Sequence, residues 1–453
     1  MTPTAIADAV PSAVLALTEV LRTNGHATYV VGGCLRDVVL GRAPHDWDLT
    51  TDARPERLQE LFPGALYENR FGTVTVRAAD DEPVEITTFR SDQAYEDFRR
   101  PVAVEFGERI EDDLARRDFT VNAMAWGGAP EREPAFVDPF GGRADAEGRT
   151  LRAVGDPAKR FGEDALRMLR AVRLAATLDF SIEEGTLAAI SEQAGLATHL
   201  SGERIAAEVD KLLAAERPSV GLRLLAQTGL LAAVAPELAA QVGITQNKVA
   251  GEDLWDHTIR SVDAAAAAGF GATVRMAALL HDIGKPATAA DGHFYGHERE
   301  GADLARALLE RLRYPKPVVE RVGTLVRQHM FAYEATWTDA ALRRFIAKVG
   351  RETLDDLFAL RAADNVGSGV APDGSGLGEL RRRVAEQLAA DVALERGDLA
   401  VNGDDLMAEL GLQRGPAIGR ILDQLLERVV AEPSLNDRPT LLLVARGLVA
   451  DDR

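Results

Sequence analysis

The chain has 453 residues, too many for one hydrophobic core, and this length predicts roughly three domains. Its formal net charge of −19 argues against nonspecific coating of nucleic acid, which depends on neutralising phosphates, although it leaves room for a local basic surface. The single cysteine, Cys34, excludes a disulfide framework. With no apolar spanning segment and no signal-peptide pattern, the sequence predicts a cytoplasmic protein without a membrane partner.

The first part of the chain alternates between predicted helices and strands, which indicates a small mixed α/β domain. Helical spacing covers residues 11–22, and a second helix begins at Pro55 and continues to residue 62. The predicted strands are residues 27–31, 46–50, 72–77 and 84–89. Charges and aromatics replace the periodic pattern between residues 95 and 109, where we expect a mobile loop. Beyond the turn at residues 137–142 the pattern is helical, so the predicted class is α+β, a small-sheet head followed by all-α domains.

Asp46 and Asp48 form the first candidate site. Two carboxylates at i and i+2 of a strand point to one side, where their close charges have little structural use unless a cation joins them. Hard oxygen ligands on a shared face suit Mg²⁺, which keeps positions open for substrate phosphates. The alternative is an Asp-rich turn. Glu85 is either a third acid facing this pair or a salt-bridge partner for a nearby arginine.

Residues beside this pair indicate a phosphate cradle. Gly32 and Gly33 can offer unhindered backbone N–H groups to an anion, and Arg36 adds a cation. Further along, Arg117 can hold phosphate and Asp118 can accept a hydrogen bond from a ribose hydroxyl. An ordinary solvated strand edge is the alternative for the last two residues.

A predicted helix over residues 161–173 carries Asp164, Arg167 and Arg170 on one face at intervals of three. An Asp acceptor beside an Arg donor matches the base edge of cytosine or adenine, which has an exocyclic amino group next to a ring-nitrogen acceptor. Uracil and guanine would leave buried groups unpaired, at about 1–3 kcal/mol each. The pair is therefore either a nucleotide selector or an ordinary surface ion pair.

These motifs together resemble the class II tRNA nucleotidyltransferases, the CCA-adding enzymes, over about the first 180 residues. The matching segments are residues 32–37, 46–48, 116–123 and 163–167. The resemblance implies that Asp46 and Asp48 hold catalytic Mg²⁺ and that Gly33 with Arg36 contacts the triphosphate. It also implies that Arg117 and Asp118 take phosphate and ribose, that Asp164 and Arg167 read the base, and that Arg170 and Arg173 assist nucleotide binding.

The activity implied is template-independent addition of CCA to the tRNA 3′ end from CTP and ATP, with release of pyrophosphate. Bacterial poly(A) polymerases share this head, so polyadenylation and partial CC or A addition are alternatives. Residues 67–74 resemble CCA-adding relatives, and residues 97–101 resemble the flexible loop of enzymes that complete CCA, with Phe98 where the family often has Gly. Both segments favour complete CCA addition.

A second constellation lies in the helical part. His281 and Asp282 within the segment Leu279–Pro286 resemble the HD-domain metal-dependent phosphohydrolases, and the same resemblance adds four further metal candidates, His257, His297, His329 and Asp364. His293 is an alternative ligand. A transition metal is implied, and the HD domain is either an active hydrolase, a decayed scaffold or a tRNA-holding domain. In a different class of hypothesis it is the main enzyme and the head only binds nucleotide.

The predicted domain order has four parts. We expect a catalytic head at residues 1–150, a helical neck for base selection and RNA binding at 151–245, an HD domain at 246–366 and a helical tail at 367–453.

Overall fold

The computed structural model describes residues 6–67, 72–79, 81–96, 100–246, 248–390 and 392–451, with the backbone alone described at 91–96, 100–105, 450 and 451. The chain divides into two compact units, residues 1–239 and 240–453. Unit 1 contains the β-sheet and unit 2 is helical, which confirms the predicted α+β class. No described helix has the length and apolar character needed to cross a membrane.

Unit 1 is built on a seven-stranded sheet with the order β3-β4-β5-β2-β1-β8-β9. These strands are β1 (Thr28–Val31), β2 (Asp48–Thr51), β3 (Leu66–Tyr67), β4 (Thr73–Arg77), β5 (Pro83–Thr88), β8 (Ala125–Gly128) and β9 (Ala135–Val137). The pair β2 and β5 is parallel, and the other neighbours are antiparallel. Strands β6 (Arg90–Glu96) and β7 (Arg100–Phe106) form a separate antiparallel hairpin, and β10 (Thr150–Leu151) pairs with β11 (Ser181–Ile182).

The helices of unit 1 surround the sheet and continue beyond it. They are α1 (Ser12–Thr23), α2 (Gly33–Val39), α3 (Pro55–Leu61), α4 (Ile110–Ala115), α5 (Gly142–Glu147), α6 (Pro157–Glu163), α7 (Leu166–Leu178), α8 (Glu184–Gln193), α9 (Gly202–Leu213), α10 (Pro218–Gln227), α11 (Leu230–Val234) and α12 (Pro236–Ala239). Helix α1 forms because Val14, Leu17 and Leu21 recur on one side, and that side packs with Leu49 and Ile86 of the sheet in one hydrophobic core. This core fixes the strands that carry the candidate site.

The structure corrects three local predictions. Asp46 precedes β2, so the two aspartates are not both strand residues as predicted. Much of residues 95–109 belongs to β6 and β7 instead of a loop, because backbone pairing between the two strands stabilises them. Residues 97–99 lie outside the described chain. The predicted helix over 161–173 is two helices, since Asp164 is extended between α6 and α7.

The helices of unit 2 are α13 (Leu254–Ala267), α14 (Ala272–Leu280), α15 (Lys285–Thr288), α16 (His297–Arg311), α17 (Lys316–Gln328), α18 (Asp339–Val349), α19 (Leu354–Gly367), α20 (Leu377–Ala389), α21 (Gly403–Leu410), α22 (Pro416–Ala431) and α23 (Arg438–Asp451). A capping box between Asp253 and Asp256 fixes the start of α13. The buried faces of α13 and α19 bring His257 and Asp364 into the interior of this unit.

Candidate functional site

Asp48 stands at the beginning of β2, in register with Val31 on one side and Glu85 on the other. It is half-buried, whereas Asp46 and Glu85 are exposed. Burial, with the nearby Glu85 and Asp46 carboxylates, raises the pKa of Asp48 to about 6, although Arg117 opposes the rise. The register therefore favours Glu85 as a third acid. An acidic group that is costly to ionise beside other carboxylates fits the oxygen-ligand chemistry of a divalent cation.

Gly32 connects this acidic edge to a cation. Its φ of 87° and ψ of −142° are accessible mainly to glycine, and a Cβ placed there would lie 3.1 Å from Arg117 Nη1 and 3.8 Å from Asp48 Oδ2. Arg117 donates to Asp113 Oδ2 (3.3 Å) and to the Asn122 carbonyl (3.4 Å). Its buried Nε has no hydrogen-bond partner in the described chain. Backbone, cation and carboxylate thus meet at Gly32.

Arg36 lies beside Gly33, the first residue of α2. A Cβ at Gly33 would be 3.3 Å from Arg36 Nη2. The guanidinium donates to Asp37 Oδ1 (2.8 Å) and to Asn122 Oδ1 (2.8 Å). Nε also donates to Asp37 Oδ1 (3.0 Å), so these partners fix the arginine at the cradle and engage all three of its nitrogens, and only its remaining N–H groups are available to a triphosphate.

Asp118 and Arg170, predicted as separate nucleotide contacts, bind each other. Arg170 donates to Asp118 Oδ2 from Nε (2.8 Å) and Nη2 (2.6 Å). Asp118 also accepts from the Asn122 amide (3.1 Å) and the Phe119 N–H (2.8 Å). Burial alone would raise the pKa of Asp118, but Arg170 and these donors hold it at about 2. Asp118 is therefore a firmly ionised acceptor.

Asp164 is held at both carboxylate oxygens. Oδ1 accepts from the Leu166 N–H (3.0 Å), which explains why α7 begins just after it. Oδ2 accepts from Arg204 Nη2 (2.7 Å), which α9 carries across to it. A carboxylate has about four lone-pair sites, so an exocyclic amino group can still bind Asp164.

Arg167 and Arg173 on α7 are held by acidic partners. Arg167 Nη1 donates to Glu163 Oε2 (3.0 Å) and its Nη2 to the Arg116 carbonyl (3.0 Å). Arg173 Nε donates to Glu208 Oε2 (2.6 Å), although burial lowers the pKa of this arginine. The two predicted arginines are thus oriented before any nucleotide binds.

Several of these supporting contacts were not identified from the sequence. Glu163 lies four residues before Arg167, and Asp113 lies three and four residues before the paired arginines, so helical spacing was an available signal. Arg204 and Glu208 also lie four apart on α9, but their partners are distant in sequence. Only the docking of α9 on α7 reveals them.

In unit 2 the six predicted metal candidates converge. They are His257, His281, Asp282, His297, His329 and Asp364, and all six are buried. Two groups of possible ligands share one residue: His257, His281 and Asp282 form the first, and Asp282, His297 and His329 the second. His293 is exposed and stacks on Tyr295, so the structure does not bring this alternative ligand to either group.

Charges at this centre are strongly perturbed. Burial would raise the pKa values of Asp282 and Asp364, but neighbouring histidines and lysines hold both well below their usual range. Burial lowers the pKa of His281, whereas hydrogen bonds to Asp282 and Asp364 raise that of His257 against its burial. Imidazoles and ionised carboxylates gathered in a buried group are the donor set that fits a transition metal.

Fold and site together define a nucleotidyltransferase head followed by an HD-type helical unit. A family model described as "Poly A polymerase head domain" matches residues 28–152, and one described as "Probable RNA and SrmB- binding site of polymerase A" matches residues 179–242. A model described as "HD domain" matches residues 254–368.

Relatives along nearly the whole chain make the assignment more specific. The chain is 34% identical over 434 residues to a CCA-adding enzyme of Geobacillus kaustophilus, with 94% of each chain covered, and 32% identical over 434 residues to one of Limosilactobacillus fermentum, again with 94% covered. It also resembles the crystal structure of the Bacillus stearothermophilus CCA-adding enzyme in complex with CTP, at 29% identity and a TM-score of 0.73, covering 98% of this chain and 100% of that one. The chain belongs to the CCA-adding enzyme family.

Proposed function

We propose that the chain adds CCA to the 3′ end of tRNA in the cytoplasm without a nucleic-acid template, using CTP and ATP and releasing pyrophosphate. The observation that carries this proposal is the meeting of Asp48, Gly32 and Arg117 in a chain whose relatives are CCA-adding enzymes. The predicted division of the chain into head, neck, HD domain and tail is also part of this proposal.

Asp46 and Asp48 would hold Mg²⁺, with Glu85 as a further acid at the same edge. When bound, the ion would supply positive charge at the α-phosphate during attack by the tRNA 3′-hydroxyl. Arg117, whose Nε has no hydrogen-bond partner among the described residues, would bind phosphate at the Gly32 edge. Asp118, kept ionised by Arg170, would accept from the ribose.

Base choice would fall to Asp164 and Arg167. Arg204 and Glu163 hold these two side chains in place while leaving lone pairs on the carboxylate and N–H groups on the guanidinium. A preset acceptor and donor would bind the amino group and ring nitrogen of cytosine or adenine and reject uracil and guanine. Arg167→Ala should therefore lower the preference for CTP and ATP over UTP and GTP more than it weakens tRNA binding. An unchanged nucleotide preference in Arg167→Ala would show that the pair of Asp164 and Arg167 is only structural.

The metal assignment is tested by removing each carboxylate. Asp46→Ala and Asp48→Ala should each abolish incorporation of labelled CTP into tRNA lacking CCA, with the folded state retained. Asp112→Ala, at an exposed position of the same head, is the matched control and should keep activity. Incorporation at the control level by either variant would contradict the assignment.

A second activity is favoured by the buried histidine and aspartate groups of unit 2. We propose that the HD domain binds a transition metal and hydrolyses phosphodiesters. Elemental analysis of protein purified without chelator, followed by assay on a 2′,3′-cyclic phosphate, tests this. No bound metal and no hydrolysis would leave the domain a scaffold. Hydrolysis by a chain that incorporates no nucleotide would instead make the HD domain the main enzyme.

A further inference from the structure

We propose that unit 2 contains a second nucleotide site, separate from the head and from the buried histidine cluster, which binds a free nucleoside di- or triphosphate. The site is a cavity of about 550 Å³ between α16, α17, α18 and the segment that connects the last two helices. Ligand cavities in proteins are commonly of this size. Among the described residues, its lining includes none of the six metal candidates. The inference therefore goes beyond nucleotidyl transfer and does not depend on a metal in the HD domain.

Positive charge dominates the lining of this cavity. Four cations line it, Arg299, Arg327, Arg344 and Lys348, together with one carboxylate, Glu298. Glu298 Oε1 lies 3.9 Å from Arg299 Nε, so this acid accompanies that arginine. The other three cations are exposed, and their side chains form no ion pair or hydrogen bond with another described residue. In a chain with 71 acidic and 52 basic residues, three neighbouring cations without a carboxylate indicate a site for an anion.

The position of Arg344 on α18 has no structural use that accounts for it. Arg327 and Lys348 lie in the last turns of α17 and α18, where a cation favours the carbonyl end of a helix. Arg344 precedes the last turn, and its charge lies four residues from the like charge of Lys348, which destabilises the helix slightly. The preceding residue, Arg343, is instead buried and donates to the Val430 carbonyl (2.7 Å). An anion bound beside Arg344 and Lys348 would remove their repulsion.

Aromatic side chains form the other wall of the cavity. Phe331, Trp337 and Phe345 line it, and Trp337 is half-buried. The Trp337 ring centroid lies 5.7 Å from that of Phe345 at 59° and 5.6 Å from that of Tyr333 at 72°. Neither ring is parallel to the indole, so neither takes the stacking position. Met330, 55% exposed at the same cavity, adds a flexible apolar surface. This wall suits a flat aromatic base.

Hydrogen bonds hold the walls of the cavity in place. Gln328 Nε2 donates to the Lys348 carbonyl (3.3 Å), which joins the end of α17 to α18. Arg361 donates to the Phe331 carbonyl, and its guanidinium carbon lies 4.6 Å from the centroid of the Phe331 ring. The segment between α17 and α18 is therefore fixed, and a ligand would not have to order it on binding.

The combination of cations and aromatic rings determines the class of ligand. Guanidinium and ammonium groups form charge-assisted hydrogen bonds with phosphate oxygens, and an indole stacks on a base. Inorganic phosphate would leave the aromatic wall uncovered, and an apolar molecule would leave three cations without an anion. An RNA strand carries one negative charge per nucleotide, whereas three cations around one cavity match the several charges of a nucleoside di- or triphosphate. The charges thus favour a free nucleotide over a segment of RNA.

Tryptophan fluorescence of the full-length chain in chelator tests the site. Trp47→Phe removes the tryptophan of the head, so the emission then comes from Trp337 and from the buried Trp126 and Trp255. We expect ATP to quench this emission to a plateau, and the addition of Trp337→Phe to abolish the quenching. Inorganic tripolyphosphate and adenosine each carry only part of the ligand and should bind about tenfold more weakly than ATP, or weaker still.

Substitutions distinguish this site from the nucleotide site of the head. Arg344→Gln together with Lys348→Gln should raise the Kd for ATP about tenfold or more, because two charge-assisted contacts are lost. Arg420→Gln, at an exposed arginine of α22 outside the cavity, is the matched control and should leave this Kd unchanged. Arg167→Ala, in the head, should also leave it unchanged, whatever its effect on nucleotide incorporation.

Four results would overturn the inference. Absence of quenching would show that no base stacks on Trp337, and a Kd that Arg344→Gln with Lys348→Gln does not raise would show that the cations bind no phosphate. Tripolyphosphate binding as tight as that of ATP would make the cavity an anion surface only. Tighter binding of a short single-stranded RNA than of ATP would make it an RNA contact. Nucleotide incorporation into tRNA is measured separately, so failure of the head activity is distinguishable from each of these results.

Discussion

Replacing Asp48 with asparagine should stabilise the metal-free protein while abolishing nucleotide incorporation. The substitution keeps the shape of the side chain and removes a charge that the fold disfavours. Burial beside Glu85 and Asp46 raises the Asp48 pKa from its ordinary 3.8 to about 6. A difference of this size corresponds to about 3 kcal/mol. Because the folded-state pKa is raised, the penalty is absent below the unfolded pKa, grows as pH rises, and is complete above about 6.

The assay is calorimetric melting in chelator at pH 4 and pH 8. At pH 8 Asp48→Asn should melt higher than wild type by several degrees, at roughly 2–4 °C per kcal/mol for a unit of this size. At pH 4 the two should nearly coincide, because the wild-type carboxyl is then largely protonated. Mg²⁺ should raise the wild-type melting temperature and leave the variant unchanged. Asp81→Asn, at an exposed position of unit 1, is the control. Equal melting of Asp48→Asn and wild type at pH 8 would refute the reasoning.

Three further substitutions test the supporting contacts. Gly32→Ala places a Cβ 3.1 Å from Arg117 in a backbone conformation with positive φ. The free energy of unfolding should therefore fall by about 1–3 kcal/mol, and KM for CTP should rise several-fold. Wild-type kinetics would show that the phosphate cradle is elsewhere. Asp113→Ala removes the buried carboxylate that pairs with Arg116 and Arg117 and should cost about 1.5–3 kcal/mol in urea unfolding, whereas a loss under 1 kcal/mol would mean that solvent compensates the two half-buried arginines. Arg204→Ala removes the hydrogen bond that holds Asp164 and should reduce discrimination against UTP, with partial recovery in Arg204→Lys. Full discrimination in the alanine variant would show that this contact does not contribute to base choice.

Local sequence patterns predicted much of the head. The helix at Ser12–Thr23 and the strand at Thr28–Val31 follow from apolar spacing, and the family motifs named residues that the structure brings together beside Gly32. Patterns failed where tertiary pairing decided the conformation. The hairpin of β6 and β7 forms through backbone hydrogen bonds between the strands, which its charged sequence does not predict. The break between α6 and α7 at Asp164 arises because the Asp164 carboxylate accepts a hydrogen bond from the Leu166 N–H.

The partners within the site were less predictable than its members. Asp118 and Arg170 are 52 residues apart, and Asp164 and Arg204 are 40 apart, so no local spacing links them. In the HD domain the motif supplied the candidate ligands, but which histidines each Asp282 oxygen faces depends on four helix ends meeting. In both cases the sequence identifies the candidate residues, whereas the tertiary packing determines which of them are in contact.

The most direct test of CCA addition uses three tRNA substrates, one lacking CCA, one ending in CC and one ending in CCA, each offered one labelled nucleotide at a time. We predict that CTP is incorporated into the first, that ATP is incorporated into the second, and that UTP and GTP are refused throughout. The third should accept nothing. Long adenylate extension of the third substrate would show a poly(A) polymerase, and CTP incorporation without subsequent ATP incorporation would show partial addition; either would contradict the central claim.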